Sequence, residues 1–237
     1  MMSLKEKCEK QIMNNRGSAL IMVIVVIAFI SIMATTLLYV SGSNFYRKTT
    51  DLKTKESFYE AETALEEIRA ALTVETSEAA RAAYTSVSIN YAAANSATRY
   101  SLFQTEFFNK LNENWQKKTQ DPYDPTVPIP NVEVVRSLVS DPYKASISLD
   151  PSVANAGTLE LHAEEGYAIL KGVMLQYTDA QGYTTIITTD YLISIPSLNW
   201  GVDNARTDWA PSAGVESLER GTVDMADCVS YYNWVKK

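Results

Sequence analysis

The stretch RGSALIMVIVVIAFISIMATTLLYV, Arg16–Val40, decides the architecture of this chain. From Ala19 to Val40 it runs 22 residues without a charged side chain. A helix of about 20 apolar residues is long enough to cross the hydrocarbon core of a bilayer. Lys5, Lys7, Lys10 and Arg16 stand before the run, and Arg47-Lys48 follow it. No second stretch of the sequence is apolar over that length, which predicts one anchor with the remaining residues on one side of a membrane. Three kinds of anchor fit. A secretory signal has an apolar core of roughly 7–15 residues ahead of a small-x-small cleavage site. The core here is longer, although Ser41-Gly42-Ser43 supplies small residues at its end. A plain signal anchor needs only the apolar run. The third kind is defined by position, because Gly17 lies at the edge of the span directly after a polar, basic leader. Both flanks of the span are basic, so the bias of lysine and arginine toward the cytoplasmic side does not choose an orientation.

Beyond Val40 the helix is expected to continue. Ser41-Gly42-Ser43 loosens it, but Phe45, Leu52 and Tyr59 recur every seven residues. Phe58, Ala61, Leu65, Ile68 and Leu72 then follow at three- and four-residue steps, which places them on one helical face. The segment Glu56–Arg69 is rich in strong helix formers. A helix from Ala19 to Leu72 would be about 80 Å long at ~1.5 Å per residue.

With the leader, Gly17 and the apolar run in view, the sequence resembles the type IV pilin and pseudopilin superfamily. Members are cut by a prepilin peptidase after a glycine that ends a short charged leader. The exposed apolar helix anchors the subunit and later packs in the core of a fibre. The resemblance implies cleavage between Gly17 and Ser18, with Ser18 as the new N-terminus and a site of N-methylation. It also implies an assembly helix carrying Met22, Phe29, Phe45, Leu52 and Tyr59. The Ala/Glu-rich run from Phe58 to Leu65 is similar to the segment that follows the span in PilX-like proteins. Most members carry Glu at the fifth mature position, where this chain has Met22. A buried carboxylate is costly unless paired, and a subunit with no neighbour above it has no use for one. In this respect the chain is similar to the minor pilins of the PilX and PulK/GspK type, the latter placed at the fibre tip.

The implied fold is α+β and pilin-like, with a long N-terminal transmembrane helix continued as a spine, a helical subdomain and an antiparallel β-sheet head. The expected divisions are a leader over 1–17, span and spine over 18–72, a helical subdomain over 73–118, a proline-rich linker over 119–131, and a β-rich head with a C-terminal helix over 132–237. Tyr100, Phe103, Phe107, Leu111 and Trp115 recur every three or four residues and predict a core-facing aromatic stripe. Pro122, Pro125, Pro128 and Pro130 favour extended polyproline geometry. Asn131–Val139, Lys144–Leu149 and Thr158–His162 read as short strands between turn residues. Tyr167–Tyr177 and Tyr183–Ile195, separated by Thr178-Asp179-Ala180-Gln181-Gly182, predict a long hairpin. Asn199–Gly214, with Trp200, Trp209 and Pro211, reads as a loop. Val223, Ala226, Val229 and Tyr232/Asn233 suggest a short helix before Trp234, whose ring should pack back on the head.

The full chain has 21 Lys+Arg against 28 Asp+Glu. Removing residues 1–17 takes four basic and two acidic side chains and leaves 17 against 26, a net charge of −9. Such a surface does not gain affinity by neutralising phosphates, so no nucleic acid is expected as a partner. Cys8 and Cys228 would lie on opposite sides of the membrane and cannot pair within one chain. Histidine occurs once, at His162 inside a predicted strand, and no phosphate loop, dinucleotide fingerprint or zinc-protease motif is present. No enzyme and no cofactor are therefore expected. Calcium is the one metal candidate. Asp203, Asp208, Asp224 and Asp227 lie in the tail, calcium takes carboxylate oxygens from loops, and PulK/GspK-type heads bind calcium. The EF-hand spacing is absent. The expected function is that of a minor, tip-type pilin or pseudopilin that helps prime fibre assembly. Its partners would be other major and minor pilin subunits, the prepilin peptidase and the membrane through one helix. The head would face the extracytoplasmic side of the cell membrane. The alternatives are a membrane-anchored, adhesin-like binding module whose leader is never cut, and a membrane-tethered enzyme.

Overall fold

The computed structural model describes residues 4–90, 96–196 and 225–236. Helix α1 runs from Leu4 to Asn90. Contacts divide the chain into residues 1–53 and residues 54–237. The first unit is the N-terminal part of α1 alone. Gly17 and Ser18 lie within regular helix, and Ser41-Gly42-Ser43 does not interrupt it.

The second unit is an α+β body. Helix α1 supplies Ala61, Ala64, Leu65, Ile68 and Leu72, all buried, and continues the same face through Ala79, Ala80, Ala83, Tyr84 and Val87. The expected end of the spine at Leu72 is thus corrected to Asn90. Alanines dominate the extension, so the face is weakly hydrophobic in sequence but lets another helix approach closely. That helix is α2, Ser96–Lys118. Its Phe103, Phe107, Leu111 and Trp115 are buried as the aromatic spacing predicts, while Tyr100 is exposed. Tyr84 meets Phe103 edge to face at 5.5 Å. Thr76, also buried on α1, satisfies its hydroxyl by donating to the Leu72 carbonyl at 2.7 Å.

The proline-rich segment is folded back and does not run extended. The Ile129 amide donates to the Thr119 carbonyl at 2.8 Å, and the Asp121 amide to the Val127 carbonyl at 3.1 Å. Asp121 and Asp124 accept amide bonds two residues on and so hold the turns. The strand expected at Asn131–Val139 is instead the helix α3, Asn131–Arg136, which begins after Pro130 and buries Val134 and Val135. Asp141–Lys144 forms the single-turn helix α4.

Five antiparallel strands follow: β1 (Ile147–Leu149), β2 (Leu159–His162), β3 (Tyr167–Thr178), β4 (Thr184–Ser194) and β5 (Val229–Lys236). The order is β1-β3-β4-β5, with β2 also on β3. The long hairpin is therefore present as expected. β2 borders Tyr167–Leu170 and β1 borders Val173–Leu175, so the two share one edge of β3. Between them β3 bulges at Lys171-Gly172. The expected C-terminal helix is a strand preceded by a single 3₁₀ turn, Met225–Cys228. β5 pairs with the edge of β4 that β3 leaves free, and Val229 and Tyr231, two residues apart, fit the side of the sheet that faces the core. The expected Asn199–Gly214 loop and Val223 lie outside the described residues.

Candidate functional site

In the N-terminal unit, sixteen large apolar side chains from Leu20 to Val40 are 49–78% exposed. Immersing a large apolar side chain in water costs about 1.5–3 kcal/mol relative to burial. Even at roughly 1 kcal/mol each, sixteen exceed the total stability of about 5–15 kcal/mol that a domain has to spare. The segment is long and apolar enough to cross a membrane. Its polar side chains suit that setting, because Ser31, Thr35 and Thr36 donate their hydroxyls to carbonyls four residues earlier at 2.8 Å each.

The residues expected to carry assembly all lie on α1. Met22 (71% exposed) and Phe29 share one side of the helix, two turns apart, and so do Phe45, Leu52 and Tyr59. Each is exposed, and none is packed into the core of the chain. Of the calcium candidates, Asp203, Asp208 and Asp224 lie outside the described residues. Asp227 is exposed in the 3₁₀ turn. Among the described residues, no group of three or more His, Cys, Asp or Glu could hold a metal ion.

In the second unit, a set of polar residues flanking the buried face of α1 ties the helix to what surrounds it. Ser57 donates to the Thr185 hydroxyl at 3.0 Å. Tyr191, fully buried in β4, donates to the Leu65 carbonyl at 2.9 Å, and burial pushes its phenol well above the ordinary tyrosine range. Arg69 donates to the carbonyls of Val229 and Ala226 at 2.9 and 3.1 Å. Tyr231 donates to Glu66 at 2.7 Å. Burial, and then this bond, also raise the Tyr231 phenol. On another side, Tyr143 donates to Glu60 at 2.8 Å, and the Ser140 amide and hydroxyl donate to the two oxygens of Glu67 at 2.8 and 3.0 Å. Helical periodicity in the apolar residues located the buried face but not these partners. Glu60 and Glu67, seven apart, were the available signal.

Trp234 packs back only in part: it touches Phe58 but stays 43% exposed. Its ring meets Phe58 edge on at 6.3 Å, and Lys236 Nζ stands 4.5 Å from the Phe58 ring centre. His162 stacks on Tyr167 at 4.6 Å, lies 3.9 Å from both Glu160 and Glu165, and Lys171 pairs with Glu160. This is an ion-paired sheet edge. The open groove between α1 and α2 is lined by polar side chains already engaged, with Lys118 paired to Glu75 at 3.0 Å, Asn114 donating to Glu78 at 3.3 Å, and Lys110 and Lys117 both paired to Glu113. No protein-family model, curated protein or solved structure matches the chain.

Proposed function

We propose that this chain is a structural subunit of the pilin class, minor and tip-type, processed between Gly17 and Ser18 before it enters a pilus or pseudopilus. One observation carries the reading. The helix that holds out an apolar span unable to rest in water begins that span one residue after the Gly17–Ser18 junction, and the same helix supplies the central core face of the α+β body. A subunit built this way can be drawn out of a bilayer and laid beside other apolar helices without refolding its body. Met22 at the fifth mature position supports a place at or near the tip, where no helix above would present an amine. The aspartates of the tail leave calcium binding as a subsidiary proposal.

A Gly17→Leu substitution tests the reading. Co-expressed with an active prepilin peptidase, the wild-type chain should lose its 17-residue leader, and the variant should keep it while still inserting in membranes. Equal processing of both would overturn the proposal. If neither chain is cut, an anchored binding module takes its place.

A further inference from the structure

Just past the apolar run, α1 carries Tyr39, Phe45, Tyr46, Arg47 and Lys48, all exposed, the three aromatic rings at 72–78%. Their directions matter. At 3.6 residues per turn, Tyr39 and Tyr46 fall on one side of the helix, Phe45 and Arg47 about 100° to either hand, and Lys48 at the back. Phe45 also heads the exposed Phe45, Leu52 and Tyr59 stripe, but the five residues together surround the helix as a ring. A ring suits surroundings that are the same in every direction, as at the surface of a bilayer. Tyrosine is enriched where hydrocarbon gives way to headgroups, since its ring is apolar and its hydroxyl is wet.

We propose that residues 39–48 form a girdle that recognises anionic phospholipid headgroups, with Arg47 and Lys48 reaching their phosphates. The inference rests on α1 spanning the membrane. Phe45 to Lys48 lie about 8–12 Å beyond Val40 at ~1.5 Å per residue. The headgroup layer extends about 5–8 Å past each side of a ~30 Å core, and long cationic side chains reach back along their stems to the favoured depth. The charge is local: the stretch from Ala19 to Thr50 contains Arg47 and Lys48 and no acid, and Asp51 is the first acid a turn beyond. A free phosphate would be met by the same two cations but would make no use of the aromatic ring.

The test uses the full chain in bilayers of phosphatidylcholine with trace spin-labelled phosphatidylglycerol or phosphatidylcholine, reading the motionally restricted fraction of each label. The leader cations lie across the bilayer, so the reference chain carries K5Q/K7Q/K10Q/R16Q. It should favour phosphatidylglycerol by at least about fivefold, the factor that a single cation beside anionic lipid supplies, since two cations are in reach. Adding R47Q/K48Q should bring the two lipids to parity. Parity already in the reference chain, or a preference that survives R47Q/K48Q, overturns the lipid site while leaving the subunit proposal intact. Alkaline carbonate extraction separates the two failures: a chain released from the bilayer overturns the spanning helix and the girdle together.

Discussion

Tyr143 donates to Glu60 Oε2 at 2.8 Å, and this bond, followed by burial, pushes its phenol up to about 12. The folded state therefore holds this proton more tightly than the unfolded chain does. The stabilisation is fully present below the unfolded value near 10, and it is lost as pH rises from there through about 12. Tyr143→Phe should be less stable at pH 7 by about 1 kcal/mol, the usual net worth of a hydrogen bond. It should also lose less stability than wild type between pH 10 and 12, as seen in urea melts across that range. Gly172 makes a different demand. Its φ is +65°, and a Cβ there would stand 2.7 Å from the Ala156 Cβ. Left-handed strain alone costs about 1–3 kcal/mol, and the clash adds to it. Gly172→Ala should lower the unfolding free energy read from urea melts by at least that amount, whereas Gly166→Ala, at φ +84° with open space around it, should show the strain alone.

At the scale of elements, the sheet turns on Asp190. Its Oδ1 accepts the Gly172 amide at 2.7 Å, within the β3 bulge, and its Oδ2 accepts the Asn233 side-chain amide at 3.0 Å. Asn233 has φ +53° and sits where the β4–β5 register shifts. One carboxylate thus joins the irregularities of the strands on either side of it. Hydrogen bonds to a charged group are worth about 1.5–3 kcal/mol. Asp190→Ala should cost about 1.5–3 kcal/mol by that measure, chiefly for the part-buried Gly172 bond, and hydrogen exchange should show β5 losing protection before β3. The elements legible in the sequence were those with a strong period: the span, the Ala61–Leu72 face, the aromatic stripe of α2 and the Tyr167–Ile195 hairpin. The others failed for separable reasons. Asn131–Val139 has β-branched residues, but Pro130 starts a helix there and Val134-Val135 are wanted side by side in the core. Ala226, Val229 and Tyr232/Asn233 show a three- to four-residue spacing by accident, and the Tyr-Tyr and Trp-Val pairs of Val229–Lys236 were the better guide to a strand beside β4. Asp190 itself was unreadable, because a bulge has no signature until two strands are set in register.

For the molecule as a whole, residues 54–237 have a closed core of their own, whereas the span has none. Residues Leu20–Val40 must be covered by lipid or by other helices, and under the proposed processing after Gly17 a peptidase would convert the first covering into the second. A subunit needs only a span, a junction and a stable body. The most direct measurement is the intact mass and N-terminal sequence of the full chain recovered from membranes that contain a prepilin peptidase. The account predicts a chain that begins at Ser18. A chain that keeps Met1 and the leader, or one that begins near Asn44 after a conventional signal cleavage, would contradict it.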